Sequence, residues 1–155
     1  MAKVTKTKEK QRQHNMSRIR SNNTSIEAVF RKALWNEGIR YQKNCKQLPG
    51  TPDIAIFKYQ IAIFCDGEFW HGKDWETKKT KIQSNREYWI AKIEQNMNRD
   101  SVIDEQLRLM KWTVLRFWGK DIKSNLADCV EEVKEMILQI KLDSLASENN
   151  HLCDY

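Results

Sequence analysis

Five consecutive residues, Ile61-Ala62-Ile63-Phe64-Cys65, carry no charged or strongly polar side chain. A run this short and this apolar predicts a strand buried on both faces. A strand with two dry faces needs a covering layer on each side. A second apolar run precedes it across Lys58-Tyr59, so Asp53–Phe57 and Gln60–Asp66 predict a β-hairpin. Leu48-Pro49-Gly50-Thr51-Pro52 leads into the hairpin as a turn, with two prolines and a glycine.

Around this hairpin the remaining periodicities are mostly helical. Thr24 or Ser25 can cap a helix running to about Gly38, with Ile26, Val29, Phe30, Ala33 and Leu34 on one face. Residues 39–43 suit a short strand. Residues 66–85 are polar, carry two tryptophans and predict a long functional loop. A helix from about Asn85 to Met110 follows, with a broken apolar stripe of Tyr88, Ile93, Met97, Val102, Ile103 and Leu107. Trp112–Trp118 predicts a strand, with Trp112 and Trp118 in the core. Ser124–Lys141 predicts an amphipathic helix, and the stretch from Asp143 a disordered tail. The order α-β-β-β-α-β-α predicts an α/β fold, a central mixed sheet flanked by helices.

With 155 residues, 40% of them hydrophobic, one core and one domain are expected, spanning about 23–142. No apolar run approaches the roughly 20 residues of a membrane helix, and no apolar segment suggests a secretory signal. Cys45, Cys65, Cys129 and Cys153 lie far apart and predict reduced thiols in a cytoplasmic protein. The net charge of +6 is concentrated at one end. Residues 1–20 hold seven of the 27 Lys and Arg but one of the 21 Asp and Glu, leaving the other 135 residues balanced. A basic arm over residues 1–22 suits a polyanion, since neutralising phosphates releases counterions, and equally suits a solvated terminus.

Several residues can carry chemistry. Asp53 opens a buried strand after a rigid turn, where it can hold a hard cation such as Mg²⁺ or simply end the turn. His71 lies just past the central strand, in Asp66-Gly67-Glu68-Phe69-Trp70-His71-Gly72, and can exchange a proton with water near neutral pH or stand as a surface histidine. Of Asp66, Glu68, Asp74 and Glu76 in the same loop, one at most is expected to bind metal. Phe69, Trp70, Trp75, Tyr88 and Trp89 fall in or beside the loop with Lys73, Lys78, Lys79, Lys81 and Arg86, a mixture that suits base stacking with phosphate contact. Asp100 can orient His71 or pair locally with Arg99 or Lys92. A metal carboxylate, a histidine, an aromatic-basic loop and a basic arm together suit a nucleic-acid hydrolase.

The ordered segments Leu48–Asp53, Ile63–His71, Tyr88-Trp89-Ile90-Ala91-Lys92-Ile93 with Asn96 and Arg99-Asp100, and Trp112–Trp118 resemble the very-short-patch repair endonucleases. His14–Arg20 and Ser25-Ile26-Glu27 resemble that family's N-terminus, so the resemblance spans about residues 12–140. It implies a restriction-endonuclease-like fold and nicking of double-stranded DNA 5′ to the thymine of a T·G mismatch, the product of 5-methylcytosine deamination. It implies that Asp53 and the main-chain carbonyl of Cys65 hold Mg²⁺, and that His71 activates water with Asp100 behind it and Glu27 in the same polar site. Phe69, Trp70 and Trp89 would wedge into the base stack and Met16 would insert from the opposite groove. Arg18, Arg20, Lys92 and Asn96 would contact DNA. A monomer linked functionally to a cytosine-5 DNA methyltransferase and repair proteins is implied as well, in a bacterial cytoplasm beside the nucleoid.

Two features depart from the family. Its well-studied members carry a structural zinc on Cys and His around this loop, whereas Glu68, Lys73 and Trp75 stand here, so no structural zinc is expected and Trp75 packing is expected to hold the loop instead. The lysine common in the wider nuclease superfamily is also missing after Cys65, where Asp66 and Gly67 follow. Two other functions fit the same residues less closely: a restriction endonuclease cutting both strands of matched DNA, and a DNA-binding module without catalysis.

Overall fold

The computed structural model describes residues 25–151. The arm, with Met16, Arg18 and Arg20, lies outside them. Four strands form one mixed sheet: β1 (Gln42–Lys43), β2 (Ile54–Ile56), β3 (Ile61–Asp66) and β4 (Thr113–Trp118), in that spatial order. The helices are α1 (Ser25–Asn36), α2 (Trp75–Lys79), α3 (Arg86–Leu109), α4 (Gly119–Ser124) and α5 (Leu126–His151). This is the α/β sheet flanked by helices that the sequence predicts, consistent with a restriction-endonuclease-like fold.

β2 and β3 pair antiparallel as a hairpin, with Ile54 opposite Ile63 and Ile56 opposite Ile61. A 3₁₀ turn, Phe57–Tyr59, joins them, and Gln60 closes it with φ 53°. β4 pairs parallel to β3, from Ile61 beside Thr113 to Asp66 beside Trp118. A parallel pair needs a long crossover, and the loop, α2 and α3 supply it. Asp53, just before β2, therefore lies at the same end of the sheet as Asp66. The C-terminal mouth of parallel strands is where open α/β sheets place their sites.

Strand alternation divides the sheet into two faces. Ile61, Ile63, Leu115 and Phe117 pack with Phe30 and Leu34 of α1, Ile122 of α4, and Val130, Val133 and Ile137 of α5. Ala62 and Phe64 pack on the other face with Cys45, Leu48, Leu107 and Trp112, with Ile103 against them. Continuing that alternation, Asp66 and Arg116 belong to the second face, under α3.

The helices differ in detail from the periodicity. In α1, Val29 is half exposed, while Glu27 and Arg31, four residues apart and 3.7 Å from each other, are buried instead. In α3, Tyr88 and Val102 are exposed, and Ile93 and Leu107 are fully buried. The breaks in that stripe hold Asn96, Asp100 and Asp104, which is why it looked discontinuous. Trp112 is buried as expected, but Trp118 is only half-buried. The loop at 66–85 contains the short helix α2, and α4 precedes the last helix. The last helix continues past Lys141 to His151. Among the described residues, no helix is long and apolar enough to cross a membrane.

Candidate active site

A cavity of about 340 Å³ opens at the mouth of the sheet, lined among others by Asp53, Cys65, Asp66, His71, Asp100 and Arg116. Four segments separate in sequence thus converge: the turn before β2, the end of β3 with the loop after it, the middle of α3, and β4. Gly50, in the turn, has φ +74°, and a Cβ on it would lie 2.6 Å from Ile103 of α3. Only glycine lets that turn close on the helix.

Asp53 is half-buried, and its Oδ2 accepts the Cys65 N–H at 2.7 Å. The register explains this bond. β2 begins at Ile54, so Cys65 has lost its β2 partner and the Asp53 carboxylate takes its place. In an extended strand the N–H and C=O of one residue face the same side, so the Cys65 carbonyl faces the Asp53 edge as well. Burial pushes the Asp53 carboxyl up to about 6; the Cys65 N–H opposes this, and the charges of Glu27 and Asp66 add to it. A desolvated carboxylate crowded by other carboxylates gains most from a nearby cation. The Asp53 carboxylate and the Cys65 carbonyl are hard oxygen donors, the type a divalent ion such as Mg²⁺ takes. The Cys65 thiol, pushed upward by burial, is a neutral side chain rather than a thiolate ligand.

His71 Nδ1 lies 2.6 Å from Asp100 Oδ2 and 3.8 Å from Asp66 Oδ1. Asp100 therefore turns inward to the loop rather than pairing along its own helix. Burial pulls the His71 pKa down, but the Asp100 hydrogen bond and the charges of Asp66 and Asp100 outweigh it, and the net shift is upward. Burial raises Asp100, and its bond to His71 together with the charges of His71, Arg116 and Arg99 more than reverses that. Ligand atoms of Asp66, His71 and Asp100 all lie within 4.8 Å of one another, a spacing that could hold a metal. A cation there would displace the His71–Asp100 bond and sit beside Arg116.

The four loop carboxylates separate by environment. Asp66 is buried and accepts Arg116 Nη1 at 2.8 Å. Glu68 accepts the Lys120 backbone N–H at the start of α4. Asp74 and Glu76 are exposed.

Beside the cavity, Phe69, Trp70 and Trp89 form an aromatic triad, every pair edge-to-face with centroids 5.4–5.6 Å apart. Phe69 is 45% exposed, so the triad presents a ring to solvent. Asn96 donates to the Trp70 carbonyl at 3.1 Å, which makes it a support of the loop backbone. Lys92 is exposed on α3. The loop is further held by Trp75, which is buried and donates to Glu94 at 3.3 Å, and by Lys79, 2.6 Å from the same carboxylate. Lys73 reaches Asp121 at 3.4 Å and lies 5.5 Å above Trp118. Side chains thus tie the loop to α3 and α4. Arg116, Asp104 and Glu94 were not singled out by the sequence. The available signal was Arg116, a lone charge in the otherwise apolar strand Val114–Trp118.

Known proteins are similar to this chain in sequence. A family model described as "DNA mismatch endonuclease Vsr" matches residues 4–77. "Type II nicking enzyme V.NmeDIP" of Neisseria meningitidis serogroup C is 46% identical over 127 residues, 82% of this chain and 86% of that protein. "Type II nicking enzyme V.HpaIIP" of Haemophilus parainfluenzae is 47% identical over 116 residues, 75% of this chain and 82% of that one. "DNA mismatch endonuclease Vsr" of Escherichia coli K12 is 32% identical over 108 residues, 69% of this chain and 68% of that protein.

Proposed function

Because the chain belongs to the Vsr family of DNA endonucleases, we propose that it nicks one strand of duplex DNA 5′ to the thymine of a T·G mismatch, using Mg²⁺. The observation that carries this reading is the His71–Asp100 pair at 2.6 Å beside the desolvated Asp53.

With Asp100 accepting at Nδ1, neutral His71 carries its proton there, and Nε2 is left with the lone pair. Nε2 takes a proton from a water whose oxygen attacks the scissile phosphorus. The bond to the 3′ oxygen breaks, and that oxygen takes a proton from solvent, giving a 3′-hydroxyl and a 5′-phosphate. Asp53 and the Cys65 carbonyl would hold a divalent cation, with Glu27 in the same polar group. When bound, the cation supplies charge neutralisation for the phosphate. Asp100 stabilises the imidazolium, and Arg99 lines the cavity where the phosphodiester must enter.

The aromatic triad gives a physical basis for mismatch preference. Unstacking costs least at a mispair, so rings inserted beside the base step favour a T·G site. In the same reading Met16 inserts from the opposite groove, Arg18, Arg20 and Lys92 meet phosphates, and a monomer acts in the cytoplasm on mismatches left when cytosines methylated by a cytosine-5 methyltransferase deaminate. Single-strand nicking is the activity printed in the names of the similar V.NmeDIP and V.HpaIIP.

The test uses a nicked-product assay. DNA ligase should reseal the product directly, as a 3′-hydroxyl and 5′-phosphate require. His71→Ala should lower the nicking rate at least about 100-fold. Wild-type rates in His71→Ala, or ends that ligase cannot join, would contradict the proposal.

A further inference from the structure

We propose that Arg116 is the positioning residue of this site, holding Asp100 and Asp66 so that His71 keeps one orientation. The inference rests on the reading of His71 as the proton acceptor. Arg116 lies in β4 beside Phe64 of β3, and strand alternation directs it under α3. Its nitrogens reach three carboxylates from two other elements. Nε lies 3.0 and 3.2 Å from the two oxygens of Asp104, and Nη2 lies 2.6 Å from Oδ1 of the same residue. Nη1 donates to Asp66 Oδ2 at 2.8 Å, and Nη2 faces Asp100 Oδ1 at 3.9 Å. The Phe64 ring packs against the guanidinium at 4.3 Å.

The pairing of oxygens is what matters. Asp66 and Asp100 both flank His71 Nδ1, and one N–H can serve only one of them. Arg116 bonds one oxygen of Asp66 and faces one oxygen of Asp100, leaving Asp66 Oδ1 and Asp100 Oδ2 toward the imidazole. Without this link two like charges would compete for one imidazole edge, and their repulsion would drive one of them out. Each of the three nitrogens of Arg116 faces a carboxylate oxygen, so its charge acts first through Asp66, Asp100 and Asp104. Asp104 anchors it from the far side and does not line the cavity. A lysine could carry the charge but not the planar fork that joins three acids.

The experiment compares Arg116→Lys and Asp104→Asn with the wild-type full chain, on whichever duplex the wild type nicks. Single-turnover rate and DNA Kd are measured separately, and thermal melting reports folding. Asp104→Asn should slow the step about 10-fold and Arg116→Lys about 100-fold, with Kd changed less than about twofold. In histidine ¹⁵N spectra, Arg116→Lys should also lose the hydrogen-bonded Nδ1–H signal of His71. If Arg116→Lys fails to fold, the rate of Asp104→Asn decides. Wild-type rates in the folded variants, while His71→Ala is inactive, would overturn the role of Arg116 alone. Wild-type rates in His71→Ala would instead overturn the reading beneath it.

Discussion

His71 Nδ1 lies 2.6 Å from Asp100 Oδ2, although 29 positions separate them in sequence. The bond crosses from the loop after β3 to the inner face of α3, and it sets the tautomer of the imidazole. Its consequence for pH follows from the upward shift of His71. The folded state favours the imidazolium, so the stability it contributes is complete below the ordinary value of 6.5 and is lost as pH rises through the raised one. Catalysis runs the other way, because only the neutral ring can accept a proton. The rate should therefore climb along an acid limb with its midpoint above 6.5, and Asp100→Asn should move that midpoint down. A pH–rate profile under single-turnover conditions checks both, and an unmoved midpoint in Asp100→Asn would contradict the pairing.

Asp53 should respond to metal. At neutral pH its charge is held in a desolvated site, its carboxyl pushed up to about 6 from 3.8. That shift costs stability as pH rises from the lower value to the higher, by at most about 3 kcal/mol. Asp53→Asn removes the charge, so without metal it should melt a few degrees above wild type at pH 8 and level with it near pH 4. Added Mg²⁺ should raise the melting temperature of wild type and leave Asp53→Asn unchanged. Calorimetric scans with and without Mg²⁺ distinguish these outcomes.

Gly72 follows His71 with φ +71°, and a Cβ there would collide with Met97 of α3. Met97 can bend, but the backbone angle is strained for any other residue. Gly72→Ala should therefore lift the loop from α3 and lengthen the His71–Asp100 contact. A fall of about 10-fold or more in nicking rate is expected with little change in DNA Kd. Rate and Kd together check it.

The elements of the fold were legible because their patterns are local. The apolar run Ile61–Cys65, the Pro-Gly-Thr-Pro turn and the periodicity of α3 each specify one element, and the hairpin appears where they place it. Asp53, His71 and Asp100 could be named as candidates, and the structure brings them to one cavity. What could not be read was partnership across the sheet. The choice of Asp100 between Lys92, Arg99 and His71 depends on the register of β3, β4 and α3, which no local window contains. The partners of Arg116, on β3 and α3, are out of reach of a local window for the same reason. The inward turn of Glu27 and Arg31 at the expense of Val29 likewise brings their charges within reach of Asp53, a relation between distant segments.

The loop clasp predicts independence from zinc. Glu94 joins Trp75 and Lys79, and Lys73 joins Asp121. Purified protein should contain far less than one zinc per chain, and a soft-metal chelator should leave its nicking rate intact. Glu94→Gln combined with Trp75→Phe should speed hydrogen exchange across residues 67–85 while α5 is unaffected. Stoichiometric zinc, or unchanged exchange in that pair, would contradict the clasp.

The aromatic triad should govern discrimination rather than chemistry. Phe69→Ala with Trp70→Ala should weaken binding to a T·G duplex by about 10-fold or more, since stacking is worth about 1–3 kcal/mol per base. Matched duplex should be bound nearly as well as before. Competition binding of the two duplexes measures the ratio.

Mismatch nicking is decided by strand-resolved cleavage with Mg²⁺, on duplexes carrying one T·G mismatch in varied contexts beside matched T·A and C·G controls. A single nick is expected, 5′ to the mispaired thymine and in that strand only, lost in EDTA. Cleavage of both strands of matched DNA, or no cleavage in any context, would contradict it.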